Sequence, residues 1–209
     1  MNRRMLGQKF ARLTTDVVMR SPRLWRFFRP VMRRQFDAIA AEWDAMRDPA
    51  HLAPYEAALL AVDPAPQRAL DLGTGTGQGA FAIARQFPMA EVVGADVADR
   101  MLAEARRKTP PELSERVSFE HADASALPYA DGSFQLVAHA NMIPFFDELE
   151  RVLASGAQAL FAFSSGDSTP IYVPPERLRA ELERRGFTDF ADFAAGNGTA
   201  LLARKGDRA

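Results

Sequence analysis

Cysteine is absent from all 209 residues. Its absence excludes a disulfide framework, a thiolate nucleophile and any cysteine-ligated zinc or iron–sulfur centre, and it removes one reason to place the chain in an oxidising compartment. Histidine is scarce. His51, His121 and His139 stand far apart in the chain, with no local pair at ligand spacing, so no metal site is expected. No run approaches the roughly 18 consecutive apolar residues of a membrane span. The N-terminus also lacks the apolar core of roughly 7 to 15 residues found in a secretory leader. The expected location is therefore cytoplasmic. Net charge is nearly absent too, at −1, but the balance hides an asymmetry. Residues 1–34 hold ten Lys and Arg against one acid, Asp16, which leaves the other 175 residues at −10. A leader of that composition also fits an organelle transit peptide.

With 47% hydrophobic and 25% charged residues, the composition is that of a globular protein long enough to hold a core by packing alone. No internal repeat is present, so hydrophobic period and punctuation must define the units. Residues 1–64 read as a helical N-terminal extension. Phe36, Ile39, Ala40, Trp43 and Met46 recur at spacings of three and four, predicting a helix that is broken upstream near Pro22 and Pro30. A second helix is expected over 54–62, closed by the Asp63-Pro64-Ala65-Pro66 linker.

Residues 65–209 read as one α/β domain. Strands are expected at 68–72, 91–96, 117–121, 134–140 and 157–163. Helices are expected at 77–87, 99–108, 145–153 and 174–185, the last stopped by Gly186. Segments 187–194 and 199–203, joined by Ala195-Gly196-Asn197-Gly198, predict a terminal hairpin. The fold class is a doubly wound, mostly parallel seven-stranded sheet with a C-terminal antiparallel hairpin and an N-terminal helical lid.

The most informative stretch is Ala69-Leu70-Asp71-Leu72-Gly73-Thr74-Gly75-Thr76-Gly77-Gln78-Gly79. A buried strand runs into glycines and then into a helix, where bare backbone N–H groups and the helix dipole can meet a ligand. A phosphate-cradling P-loop would end in Gly-Lys-Ser/Thr, yet Gln78 and Gly79 follow Gly77. A dinucleotide fingerprint would place its third glycine one residue later, and no Lys or Arg lies nearby to neutralise a pyrophosphate. Asp71 just before the loop would repel phosphate and favour a cationic amine, so the loop suits an amino acid joined to a nucleoside. A plain strand-to-helix turn is the structural alternative.

These residues resemble the class I S-adenosylmethionine-dependent methyltransferases, in which an acid precedes G-x-G-x-G. The resemblance spans about residues 36–204 and lies in the order of several segments. Val92-Val93-Gly94-Ala95-Asp96 ends in an acid that would accept from the ribose hydroxyls, with Val97 flanking adenine. Asp99 to Arg106, including Met101, is similar to the family's next helix, although Ala98 stands where a capping Ser is common. In His121-Ala122-Asp123-Ala124-Ser125-Ala126-Leu127-Pro128-Tyr129, Asp123 would accept from the adenine amine and the Ala124 backbone would address a ring nitrogen. Gln135 departs from the usual S-F-D-x-V. The implied cofactor is S-adenosyl-L-methionine. The implied cofactor set is Asp71, Gly73, Thr74, Gly75, Gly77, Asp96, Val97, Met101, Asp123, Ala124 and Asn141, with Asp71, Asp96 and Asp123 along one rim for the amine, sugar and base.

Methyl transfer from a sulfonium needs chiefly alignment, so no catalytic residue is assigned. His139, near the end of the fourth strand, is a candidate base for an oxygen or carbon acceptor, against a packed core role. Phe36-Asp37-Ala38-Ile39-Ala40-Ala41-Glu42-Trp43-Asp44 resembles the lid helix of small-molecule and quinone-type methyltransferases, in which Trp43 would shield the sulfonium. The expected activity is methyl transfer to a small apolar acceptor. Residues 20–34 mix arginines with Trp25, Phe27 and Phe28, a composition compatible with peripheral membrane contact, with a less favoured nucleic-acid footprint, or with packing on the acidic domain. RNA methylation through this segment is one alternative activity; non-catalytic regulation through cofactor binding is another. A nicotinamide-dependent oxidoreductase ranks last, and the sequence does not specify an oligomeric state.

Overall fold

A computed structural model of the chain describes residues 3–207. Seven strands form one sheet: β1 Arg68–Leu72, β2 Glu91–Asp96, β3 Val117–His121, β4 Phe134–Ala140, β5 Leu153–Phe163, β6 Phe187–Ala195 and β7 Gly198–Lys205. Their order is β3-β2-β1-β4-β5-β7-β6. The first five are parallel, and β7 is antiparallel to both β5 and β6. The chain winds outward from β1 through β2 to β3 and then crosses back to β4. This reversal opens a crevice at the C-terminal ends of β1 and β4, where ligands of wound sheets bind.

Helices cover both faces, which is why β1 and β4 read as apolar runs rather than as an alternation. On one face Leu70, Leu72, Val137 and Phe161 pack with residues of α6 (Phe146–Val152), α7 (Pro175–Glu183), α1 (Arg3–Arg20) and α2 (Trp25–Ile39). On the other, Ala69, Val92, Leu136 and Leu160 pack with residues of α3 (Ala53–Leu59), α4 (Gln78–Gln86) and α5 (Asp99–Lys108). A small third cluster of Ala40, Ala98 and Met101 ties the end of α2 to α5. Helix α5 starts with Asp99 and ends with Arg106, Arg107 and Lys108, each sign at the end its dipole favours. Gly186, at φ +78°, follows the end of α7 as expected.

The N-terminal region departs from the sequence reading. Pro30 lies inside α2 without breaking it. It forfeits one backbone bond in the helix's second turn, while Trp25 and Met32 are buried on the same helix. The helix expected over 36–46 instead stops at Ile39 and continues as two 3-10 turns, Ala40–Glu42 and Asp44–Met46. The tighter winding accompanies the hold that Asp44 takes on the glycine loop. Strand β5 begins at Leu153 rather than 157. Its Gly156, at φ +71°, accommodates the irregularity in register with β4.

Candidate functional site

The glycine loop leaves β1 between the ends of β2 and β4. Gly73 and Thr74 both donate backbone N–H bonds to the Ala95 carbonyl, at 2.8 and 3.0 Å, pinning the loop to β2. Gly73 and Gly77 have φ of +72° and +87°, a region that side chains disfavour. The space is equally restrictive. A Cβ on Gly73 would stand 2.6 Å from the Met142 sulfur, and one on Gly77 2.8 Å from the Phe119 ring. The same Phe119 ring would lie 2.6 Å from a Cβ on Gly94 in β2.

Asp96 closes the turn. Its Oδ2 accepts from Gly75 N–H and its Oδ1 from Ala98 N–H, both at 2.9 Å. The Val97 N–H is a further donor, so three of the roughly four acceptor sites of the carboxylate are taken and about one is left for a ligand. Burial raises its pKa against those backbone donors. Val97 is half-buried beside it. The Ala122 N–H bonds to the Asp96 carbonyl at 3.1 Å, and Asp123 lies two residues beyond the end of the neighbouring strand β3. Ala124 is buried.

The other expected residues have different partners. Asp71 lies beneath the loop, only 2% exposed, and not on the rim. The Tyr55 hydroxyl donates to Oδ1 at 2.9 Å and the Thr74 hydroxyl to Oδ2 at 2.6 Å, with the Ala80 N–H of α4 as a further donor. The reason is parity along the strand: Leu70 and Leu72 face the other core, which leaves Asp71 among Tyr55 and α4. Desolvation pushes its pKa to about 6 against the hydrogen bonds that oppose it. Met101 is buried in the small cluster under Trp43 and does not reach the rim. Asn141, at φ +55°, commits its side-chain carbonyl to Ser164 N–H at 2.9 Å, tying β4 to the end of β5.

The N-terminal segment reaches the same rim. Trp25 Nε1 donates to Asp123 Oδ1 at 2.9 Å and Arg29 pairs with Oδ2 at 2.5 Å; Ser125 adds its N–H and hydroxyl at 2.9 and 2.8 Å. Burial would raise the Asp123 pKa, but these donors hold it below the usual value. Asp37 accepts from Arg100 N–H at 2.9 Å. Asp44 accepts from the Thr76 hydroxyl at 2.5 Å and from Lys108 at 2.9 Å. Trp43 Nε1 lies 3.6 Å from the Cβ position of Gly75. The sequence marked Trp43 as a shield for the sulfonium but gave no sign of Tyr55, Arg29 and Lys108 as partners. Only Asp44 had a signal, at the end of the lid-like segment.

His139 is 1% exposed and stacks on Phe161 at 4.8 Å. Neither ring nitrogen has a hydrogen-bond partner among the described residues. Desolvation lowers its pKa to about 3, so the ring is neutral near pH 7. His121 instead pairs with Asp99 at 2.7 Å on the surface. Among the described residues no cluster of His, Asp and Glu is arranged to hold a metal, and no helix is long and apolar enough to cross a membrane.

Residues 69–161 match the model of a methyltransferase domain family. Over 106 residues the chain is 48% identical to a demethylmenaquinone methyltransferase of Thermus thermophilus, covering 47% of this chain and 48% of that one. Over 130 residues it is 32% identical to a ubiquinone/menaquinone biosynthesis C-methyltransferase of Desulfotalea psychrophila, covering 60% and 52%. The chain thus spans about half the length of these curated relatives. A solved S-adenosylmethionine-dependent methyltransferase from Aquifex aeolicus shares the fold, with a TM-score of 0.63 at 17% identity, covering 79% of this chain and 97% of that one. With β1 running into the glycine loop and Asp96 bonded across it, the chain is similar over residues 69–161 to a methyltransferase domain and has the fold of a solved S-adenosylmethionine-dependent methyltransferase.

Proposed function

We propose that the protein transfers a methyl group from S-adenosylmethionine to a small apolar acceptor of the quinone type. The observation that carries this reading is Asp96, joined by hydrogen bonds to the glycine loop and to the start of α5 with acceptor capacity left over. The residues fit a sulfonium nucleoside. Gly73 and Gly75 leave bare backbone beneath Met142 and Trp43, Asp96 would hold the ribose, Val97 would flank the base, and Asp123 with the Ala124 backbone would address the base edge once Arg29 releases its oxygen. The cofactor supplies an electrophilic methyl group on a positively charged sulfur. The chain's own task is to orient and to exclude water, which suffices for an in-line transfer. Asp71, clamped by Tyr55 and Thr74, shapes the loop from below. Met142 covers Gly73 at the end of β4 and Trp43 covers Gly75.

The unit 1–64 serves in this reading as a lid on the domain 65–209, supported by the bonds of Trp25, Arg29, Asp37 and Asp44 to the rim. A cytoplasmic enzyme that meets its acceptor at a membrane surface through residues 20–34 fits the apolar substrate class.

The test is calorimetric titration with S-adenosylhomocysteine, followed by transfer of radiolabelled methyl to a demethylated naphthoquinol. Binding is expected for the wild type, with a loss of about 1–3 kcal/mol in Asp96→Ala. A wild type that binds neither S-adenosylhomocysteine nor S-adenosylmethionine overturns the reading.

A further inference from the structure

We propose that the outer face of α2 docks the protein on an anionic lipid bilayer. Leu24, which ends the 3-10 turn leading into α2, and Phe27 and Val31 within the helix are 37%, 62% and 49% exposed, and their spacing of three and four places them on one side. They account for three of the seven large hydrophobic side chains exposed among the described residues, gathered within eight positions, so they form a patch and not a scatter. The helix cannot roll to hide them. Trp25 and Met32 anchor the other side in the core at 8% and 4% exposure, and Trp25 meets Phe145 edge-on at 5.6 Å.

Charge selects the occupant. Residues 17–36 contain six arginines and no acid. Arg29 and Arg33 turn inward to Asp123 and Asp99. Arg20, Arg23 and Arg34 are exposed and form no ion pair with another described residue, and Arg26 lies 4.7 Å over the Phe27 ring. An apolar stripe collared by arginines supplies the two signals that stable peripheral binding needs, insertion and attraction to anionic headgroups. A second copy fits poorly, because a two-fold contact here would set like charges against one another. Nucleic acid fits poorly as well, since the centre of the face offers no hydrogen-bonding group. A groove of about 530 Å³, lined by Arg23, Arg26, Trp25, Pro144, Phe145 and Phe146 among others, runs from this side toward the β4–α6 connection. It would admit an apolar acceptor dissolved in the bilayer. That route rests on the methyl-transfer reading, whereas the docking does not.

The full chain is sedimented with vesicles of equimolar phosphatidylglycerol and phosphatidylcholine, and with phosphatidylcholine alone, at low and high salt. Binding to the anionic vesicles is expected, weakened by salt. Arg23→Gln and Arg34→Gln should each lower the partition coefficient roughly fivefold, and Phe27→Ser roughly tenfold. Thermal melting and S-adenosylhomocysteine binding of the variants should match the wild type, which separates docking from folding and from the cofactor site. The proposal is overturned by no binding to anionic vesicles at low salt or by binding that Phe27→Ser leaves unchanged. It is equally overturned by salt-sensitive binding to polyuridylate that exceeds vesicle binding, or by a dimer that Phe27→Ser dissolves while vesicles remain unbound.

Discussion

In β4 and β5, Phe134, Leu136, Val137, Leu160 and Phe161 are exposed by no more than 1%, whereas α2 buries only Trp25 and Met32 and meets the rim through Arg29, Arg33 and Asp37. The sheet is held by apolar packing that salt does not screen; α2 meets the rim through charge-assisted bonds with partly exposed partners. Changes in the sheet should therefore register as lost stability, and changes at the rim contacts of α2 as altered ligand binding and salt dependence.

The largest expected effect belongs to the sheet. Phe161→Ala should cost about 3–5 kcal/mol in urea denaturation, because the ring is packed between His139 and Phe146 and leaves a cavity. Next is the pH response of His139. Its pKa is about 3 in the fold against 6.5 for the free side chain, so the unfolded chain gains a proton first as pH falls. The contribution is present in full above 6.5 and is lost between 6.5 and 3, on the order of a few kcal/mol. His139→Leu removes it, so its stability relative to wild type should rise steadily as pH drops through that window. Asp71 acts in the opposite sense. Its pKa is raised from 3.8 to about 6, which penalises the fold above about 6 and relieves it toward 3.8. Wild-type acid sensitivity should therefore be shallower than His139 alone implies.

Tyr55→Phe tests the join between the two regions. It leaves Asp71 Oδ1 without its hydroxyl donor and should cost about 1–3 kcal/mol by thermal melting. The smallest effect should come from α2. If Asp123 takes the adenine amine as proposed, Arg29→Ala frees one of its oxygens and should tighten S-adenosylhomocysteine binding by at most about 1 kcal/mol, since the Arg29 side chain is 47% exposed. The gain should shrink at high salt. Weaker binding in this variant would show that Arg29 supports the nucleoside instead of competing with it.

The parts of the fold that were legible were those whose cause is local. Strands 68–72, 91–96, 117–121 and 134–140 and helix 99–108 were read at their observed boundaries, because apolar runs, an acid at a helix start and basic residues at its end are neighbouring signals. The glycine loop and Asp96 were legible for the same reason. The clamp on Asp71 was not: Tyr55 lies 16 residues away, and its hydroxyl carries no local pattern. Nor was the hold of Arg29 on Asp123, 94 residues along the chain. The expected helix over 36–46 failed because an apolar stripe records which side is buried and not how tightly the backbone winds. Asp44, bonded to Thr76 and Lys108, lies where that winding tightens.

Phe119 on β3 fills the gap left by Gly94, blocks the space beside Gly77 and meets Phe81 of α4 edge-on at 5.8 Å. One rigid aromatic disc therefore works as a spacer gauge between two strands and the turn above them. An enlarged residue at 94 would be felt at 77 without touching it, so the width of the glycine turn is set partly by a ring on another strand.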